Sequence, residues 1–301
     1  MIDKVVDHYQ IVARRTGLVL LITLGLPFVV ALCARCLGKD KELKPEELVA
    51  EHIKSIGPPD ILARIKSRAV TGTVTIQFFQ GATGQLSGQS QIVSSEGGKL
   101  GIVMGFGALD YTREHFAFDG KNVTVGYINL GRRSLLGSFI NQHNALMKEG
   151  LLGGVFSLGW SLMDLQEKQP RLKYRKSKFE GHEMHELEYR PRKGLGDFKI
   201  RMLFDLETFR HVRTEYTLRI NAAMGYGPVD GKGGVEKPDS IYRLLERYDD
   251  FKEADGIMLP HFYDIEFSVE GEKTTFFARW TIEANQIIHN GQVSPQFFEA
   301  K

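Results

Sequence analysis

The sequence VTGTVTIQF occupies residues 70–78 and places apolar side chains at Val70, Val74, Ile76 and Phe78. Threonine and glutamine fill positions between them. Because successive side chains of a β-strand point to opposite faces, this alternation predicts a strand with one buried face and one face in water.

The same period of two recurs along most of the chain. Further alternating stretches lie at residues 100–106, 198–204, 212–220, 257–267 and 276–282. Turn-forming sequences lie at residues 96–98, 119–120, 255–256 and 270–272. Such short connections favour antiparallel hairpins. A large antiparallel sheet with one apolar face must curve around other elements or close, so the sequence predicts a mainly β fold.

Two regions have helical character. The sequence PEELVAEHIKSI at residues 45–56 has a proline near its start, acidic residues in its first turn and Gly57 after its end, which predicts a helix. Its apolar face, formed by Leu48, Ile53 and Ile56, is expected to dock on the sheet. The second region spans about residues 132–158. Its apolar residues at helical spacing are Leu135, Leu136, Phe139, Ile140, Leu146 and Met147.

The second region continues into the sequence GLLGGVFSLGW at residues 150–160, which is apolar but rich in glycine. Each glycine costs about 1 kcal/mol relative to alanine in a helix, so a rigid helix is not expected here. Two interpretations stay open: a mobile lid over an apolar interior, or a buried connector. Residues 225–239, GYGPVDGKGGVEKPD, are expected to form an exposed loop.

An uncharged segment, GLVLLITLGLPFVVALCA, occupies residues 17–34. As a helix it would be about 27 Å long, close to the hydrocarbon thickness of a bilayer. It fits a cleaved export signal, an uncleaved anchor in the inner membrane, or a buried core helix, and the nearly balanced flanking charges do not fix its orientation. We therefore expect an N-terminal export signal or anchor at residues 1–37, one folded domain at residues 38–301, and a periplasmic location.

The two cysteines, Cys33 and Cys36, lie at the end of this segment. Lipidation at Cys33 stays open, although Leu32 is a poor residue before a modified cysteine. Because the rest of the chain has no cysteine, the folded domain carries no disulfide, which is compatible with a bacterial periplasm.

The sequence predicts no catalytic centre, metal site or cofactor. It lacks the G-x-S-x-G, Walker A and H-E-x-x-H motifs. His182 and His185 would point to opposite faces of a strand and could not chelate one metal through that spacing. With 39 Lys and Arg against 37 Asp and Glu, the overall composition gives no support for a nucleic-acid surface.

Two sequences in the second half of the chain carry a family resemblance. They are FDLETFRHVRTEY at residues 204–216 and YDDFKEADGIMLPHFYDIEF at residues 248–267, and they follow the helical sequence PEELVAEHIKSIG. This arrangement resembles the periplasmic lipoprotein-carrier superfamily typified by LolA and LolB, in particular the outer-membrane lipoprotein-sorting proteins. The similarity covers roughly residues 44–290.

The resemblance implies a strongly curved antiparallel half-barrel, with a few helices plugging the concave apolar face and an apolar cavity between. It further implies a non-enzymatic binding or carrier protein for lipids or the acyl chains of lipoproteins, which we expect to be a monomer. The residues expected to line the cavity are Phe78, Met104, Phe139, Leu151, Val155 and Phe156.

Two other functions stay open. One is a membrane-tethered regulatory or scaffold module that binds a protein of the cell envelope, and retention of residues 17–34 would favour it. The other is an exported hydrolase with a dispersed active site. No sequence motif supports the hydrolase.

Overall fold

The computed structural model describes residues 43–220, 239–272 and 275–301. They belong to one compact unit, Glu42–Lys301. The segment at residues 17–34, both cysteines, the boundary at residue 37 and nearly all of the loop at residues 225–239 lie outside the described residues. Within the described ranges, no helix is both long enough and apolar enough to cross a membrane.

Twelve strands form within the described residues, and their bounds follow. They are β1 (Ser67–Gln80), β2 (Gly84–Ser95), β3 (Lys99–Ala108), β4 (Tyr111–Phe118), β5 (Val123–Val125), β6 (Arg171–Phe179), β7 (His182–Arg190), β8 (Lys199–Asp205), β9 (His211–Ile220), β10 (Ser240–Ala254), β11 (Ile257–Gly271) and β12 (Thr275–His289).

Five α-helices accompany these strands in the described ranges. They are α1 (Pro45–Ile56), α2 (Pro59–Arg64), α3 (Leu135–Gln142), α4 (Ala145–Lys148) and α5 (Leu165–Lys168). Short 3₁₀ turns lie at Gly154–Phe156 and Pro295–Phe298. The predicted helix at residues 45–56 is confirmed in both of its bounds.

All strands join one antiparallel sheet in the order β5-β4-β3-β2-β1-β12-β11-β10-β9-β8-β7-β6. The sheet consists of two meanders, β1–β5 and β6–β12, that meet where β1 pairs with β12. Its two edges, β5 and β6, do not pair with each other, so the sheet stays open. The predicted fold class, a curved antiparallel half-barrel with a few helices, is confirmed.

This topology explains where the helical segment lies. The strands β5 and β6 form opposite edges of the sheet but are consecutive along the chain, so the connection between them must cross the whole sheet. At about 4.8 Å between neighbouring strands, that distance is roughly 50 Å along the sheet. We call residues 134–169, which contain α3, α4 and α5, the cover. They pack on the concave face.

The strands follow the predicted alternation. In β1, Val70, Val74 and Ile76 are buried on the concave face, whereas Thr73 and Gln77 are exposed. The inward residues of β12, which include Ala278 and Trp280, are fully buried. The hairpin turns predicted at residues 96–98, 119–120 and 255–256 are confirmed as well.

Two of the sequence-based expectations are wrong. The helical region predicted at residues 132–158 is broken into α3, α4 and a 3₁₀ turn: α3 ends at its C-cap residue His143, and glycines at positive φ, Gly150, Gly153 and Gly154, follow α4. In α1, by contrast, Leu48 and Ile56 are buried as expected and Ile53 packs half-buried against the core, with Val49 and His52 buried as well. The alternation at residues 212–220 would place His211 on the outer face, but His211 is buried, because the pairing of β8 with β9 shifts between Leu203 and Phe204.

The outer face of β7, β8 and β9 is held by ion pairs. The carboxylate of Glu186 accepts hydrogen bonds from Arg201 at 2.8 Å and Arg175 at 2.5 Å. Burial raises the pKa of Glu186, but the two arginines outweigh burial and hold it at about 2. Arg201 also contacts Glu215 at 3.0 Å. These pairs keep the convex side of the sheet polar.

Candidate ligand-binding site

A row of aromatic side chains lines one end of the concave face. We call it the aromatic row, and its members, in spatial order, are Phe106, Tyr111, Phe78, Phe276, Phe267, Phe139 and Phe198. Neighbouring ring centroids are 5.0–6.4 Å apart. Such separations are those of edge-to-face and tilted aromatic contacts. The row therefore forms a continuous apolar track from β3 to the connection between β7 and β8.

Strand register creates the middle of this row. Phe78 of β1 and Phe267 of β11 both lie directly opposite Ala278 of β12. Because Ala278 is small, the two larger rings and Phe276 fill the space above it. The alternation in the sequence indicated that these residues face inward, but it did not show that they meet.

Phe139 is the contribution of the cover to this row. It lies in α3, whose first turn is capped by the Ser134 hydroxyl, which accepts a hydrogen bond from the amide of Gly137 at 2.8 Å. The Phe139 ring stacks on Tyr242 at 5.7 Å and contacts Phe267 at 5.0 Å. Only 4% of Phe139 is exposed. It therefore fills part of the apolar track in this conformation.

The six residues predicted to line a cavity divide into members of the aromatic row and residues that pack outside it. Phe78 and Phe139 belong to the aromatic row. Phe156 lies in a separate cluster, where its ring centroid is 5.7 Å from that of Tyr263 and 6.2 Å from that of Tyr248. The remaining three, Met104, Leu151 and Val155, are buried in the core. All six pack against other side chains or backbone of the protein in this conformation.

Glycines let the cover approach the sheet closely. Gly154 has a φ of +48°, and a Cβ atom there would lie 2.6 Å from the Tyr248 hydroxyl. At Gly150, with φ +73°, a Cβ atom would lie 1.9 Å from the carbonyl oxygen of Gly159. Both positions therefore require glycine. In the described structure this segment is a closely packed connector.

Three polar side chains of the sheet hold the backbone of this connector. The Glu246 carboxyl group accepts a hydrogen bond from the Gly153 amide at 2.8 Å. The Tyr216 hydroxyl donates to the carbonyl oxygen of Leu151 at 2.7 Å, and the Arg68 guanidinium donates to the carbonyl oxygen of Val155. Since all three side chains are buried, these bonds are shielded from water.

Glu246 lies in a cluster of tyrosines. The Tyr263 hydroxyl donates to its Oε1 atom, and the Tyr216 oxygen lies 2.8 Å from its Oε2 atom. The single hydroxyl proton of Tyr216 is donated to the carbonyl oxygen of Leu151. The contact between Tyr216 and Oε2 of Glu246 is therefore a hydrogen bond only when the Glu246 carboxyl group is protonated and donates to the Tyr216 oxygen. Burial raises the pKa of Glu246, which favours this protonated form. The sequence analysis did not identify Glu246.

A second buried cluster joins α1 to the sheet. The His52 ring lies 5.1 Å from Trp160 and 6.1 Å from His211, and its Nδ1 atom is 2.8 Å from the carbonyl oxygen of Phe209. Burial lowers the pKa of His52 to about 4 and that of His211 well below its ordinary value. Both rings are therefore neutral near pH 7. They hold α1 and the cover on β9.

The predicted strand containing His182 and His185 is confirmed as β7. His182 is exposed and His185 is buried, where it stacks on Phe209 at 4.9 Å and contacts the Tyr174 hydroxyl through Nδ1 at 2.9 Å. His185 is thus a packed core residue rather than part of a solvated strand.

Glu114 should make the stability of the protein depend on pH. It lies below the first turn of α3, accepts a hydrogen bond from the Tyr111 hydroxyl, and burial raises its pKa from 4.5 to about 7. The folded state therefore favours the protonated form. The contribution of Glu114 to the free energy of unfolding is at its maximum below pH 4.5 and is lost as the pH rises through about 7. A shift of this size corresponds to roughly 3 kcal/mol.

We expect Glu114→Gln, which cannot ionise, to be more stable than the wild type at pH 8 and of similar stability at pH 5. Urea unfolding at both pH values measures this effect, and the difference between variant and wild type isolates Glu114 from the other buried acids and histidines. Parallel pH profiles for the two proteins would contradict the assignment.

Among known proteins, the chain matches several solved structures at low sequence identity. No family model and no curated protein matches the chain. A solved domain from Vibrio parahaemolyticus, described as an outer membrane lipoprotein-sorting protein, is 12% identical with a TM-score of 0.43, and the match covers 84% of this chain and 95% of that one. A LolA superfamily protein from Nitrosomonas europaea is 13% identical with a TM-score of 0.40, over 84% and 96% of the two chains.

A third solved structure, a DUF1329 family protein from Desulfovibrio piger, is 11% identical with a TM-score of 0.40, over 86% of this chain and 98% of that one. At these identities and TM-scores, the matches do not assign a ligand or an activity to this chain. The lipoprotein-sorting and LolA proteins that the sequence resembles are thus among the solved structures that match it.

Proposed function

We propose that this protein is a non-enzymatic binding or carrier protein that holds a lipid or the acyl chain of a lipoprotein on the concave face of its sheet. The observation that carries the proposal is the aromatic row, which crosses the sheet as one apolar track and is completed by one residue of a short helix, Phe139. Its expected place of action is the periplasm, where the predicted export segment would deliver it.

The energetics favour exchange of the cover for a ligand. Burial of each methylene contributes about 0.8 kcal/mol, so a chain of twelve carbons offers on the order of 10 kcal/mol before entropic losses. Lifting α3 off the sheet exposes Leu136 and Ile140 as well as Phe139, which forfeits roughly 5–9 kcal/mol of burial. The helix α3 has only eight residues, and a helix of that length has little stability of its own. An acyl chain can therefore displace it.

The two groups of predicted residues would then have different roles. Phe78 and Phe139 would contact the ligand at the aromatic row. Met104 of β3 would line the deeper part of the interior that becomes accessible as α3 moves outward, together with Leu151, Val155 and Phe156 in the part of the cover that stays bound to the sheet. This division follows from their separate packing environments.

The direct test is mass spectrometry of organic extracts from the full-length protein, purified without detergent. A lipid present at about one molecule per protein is the expected result, and its mass identifies the ligand class. A well-folded protein that carries no lipid and takes up no acyl-chain probe would contradict the proposal. That outcome would favour the module that binds an envelope protein instead.

A further inference from the structure

The connection between β7 and β8 forms a basic groove beside the aromatic row. Its sequence is RPRKGLGDFK, residues 190–199, and it surrounds a groove of about 620 Å³. The cations that line this groove are Arg171, Arg190, Arg192, Lys193 and Lys199, while Asp197 is the carboxylate among its lining residues. We call this feature the basic groove.

Much of its charge is not neutralised by the protein. Arg190 donates to Glu188 at 2.7 Å, and Arg192 donates to the neutral side chain of Gln169 at 2.6 Å. In the described part of the chain, no carboxylate forms an ion pair with the other three cations. Unpaired cations held around one groove attract an anion.

The charge is also local to this side of the molecule. Residues 171–220, from β6 to β9, hold thirteen Lys and Arg against eight Asp and Glu, whereas the whole chain is nearly balanced at 39 against 37. Overall composition conceals this asymmetry. Two places carry it: β6 has five Lys and Arg and no carboxylate, and residues 190–199 have four Lys and Arg against Asp197.

The basic groove is continuous with the apolar track. Phe198 lines the groove and is also the last member of the aromatic row, with its ring centroid 6.0 Å from that of Phe139 and 5.2 Å from that of His143. Both Phe198 and Leu195 are buried, so the connection is anchored on the core. An apolar chain on the row would thus end among the cations.

We propose that the ligand is an anionic amphiphile, whose chain lies on the aromatic row and whose phosphate group binds in the basic groove. This inference rests on the proposed function and specifies its ligand class. Guanidinium and ammonium groups form charge-assisted hydrogen bonds with phosphate, so the groove selects anionic over neutral head groups. We assign the phosphate group to a single lipid molecule bound from solution rather than to the surface of a membrane.

The test compares two amphiphiles with the same chain, dodecyl phosphate and dodecyl maltoside, by calorimetry below their micellar concentrations with the full-length protein. Wild type should bind dodecyl phosphate roughly tenfold more tightly. The triple variant R171Q/K193Q/K199Q should lose this preference and keep its affinity for dodecyl maltoside.

A matched control removes the same charge elsewhere. The variant K173Q/K176Q/K178Q changes three lysines of β6 that do not line the basic groove, and it should keep the tenfold preference. Equal loss in both variants would show general electrostatic attraction and overturn the proposed site.

Further outcomes separate this inference from the proposed function. If neither amphiphile binds, the proposed function fails. If both bind equally to wild type, the apolar site stands and the anionic head-group site is wrong. Sedimentation with phosphatidylglycerol or phosphatidylcholine vesicles tests the other source of phosphate. If the triple variant loses only its sedimentation with phosphatidylglycerol vesicles, the groove binds a membrane surface and the proposal is overturned.

Discussion

Phe139→Asp is expected to abolish binding of a fluorescent acyl-chain probe while the sheet stays folded. The Phe139 ring packs between Tyr242 and Phe267 in the aromatic row. Under the proposed function Phe139 contacts the bound acyl chain, so an aspartate would place a carboxylate against that chain, and an unpaired charge in an apolar site is strongly unfavourable. We therefore expect at least a hundredfold loss of affinity, of order 3 kcal/mol.

The chain offers a matched control on the same helix. Leu135 also lies in α3, but 45% of it is exposed. Leu135→Asp makes a similar chemical change and should leave probe affinity within about twofold of wild type, because a surface substitution costs little. Circular dichroism and urea unfolding show whether both variants keep the sheet. Retained binding by a folded Phe139→Asp protein would refute the role of the cover.

Glu246→Leu is expected to have the largest effect on stability. The substitution keeps most of the side-chain volume but removes the acceptor for the Gly153 amide and the Tyr263 hydroxyl. Each buried polar group left without a partner costs about 1–3 kcal/mol, so we expect a loss of about 4 kcal/mol in the free energy of unfolding. Urea unfolding at pH 7 measures it.

Two milder variants keep this prediction testable if Glu246→Leu does not fold. Glu246→Gln retains a carbonyl acceptor and an N–H donor, and should cost about 1 kcal/mol. Tyr263→Phe removes one donor and should cost a similar amount. If Glu246→Leu and Glu246→Gln have the same free energy of unfolding, Glu246 does not hold the cover.

Most of the fold could be predicted from alternation, because a half-buried sheet imposes a period of two on its strands. The helix at residues 45–56 was predictable to the residue, since its proline, first-turn acids and following glycine are local signals. The short, interrupted helices of the cover were less predictable from the sequence. Their ends depend on contacts such as that of Gly154 with Tyr248, which join residues far apart in sequence.

The candidate site was predictable only in part. Phe78 and Phe139 were found as apolar residues of a strand and a helix. That they belong to one row depends on the pairing of β1 and β11 with β12, which a single sequence does not reveal.

Glu246 and the basic groove left signals that were missed. In β10, Tyr242, Leu244 and Tyr248 form an inward apolar series, and Glu246 interrupts it. A charged residue at an inward strand position indicates a buried polar contact. The basic connection was missed because the charge was counted over the whole chain rather than along it.

The pairing of β1 with β12 has a consequence for how the chain folds. It joins residues about 200 positions apart, whereas every other pairing in the sheet is between strands that follow each other in sequence. During synthesis, one side of β1 therefore stays unpaired until β12, about 200 residues later, has left the ribosome. Joining the two meanders is a late step with a high entropic barrier, and until then nascent chains expose a strand edge that can pair with another molecule.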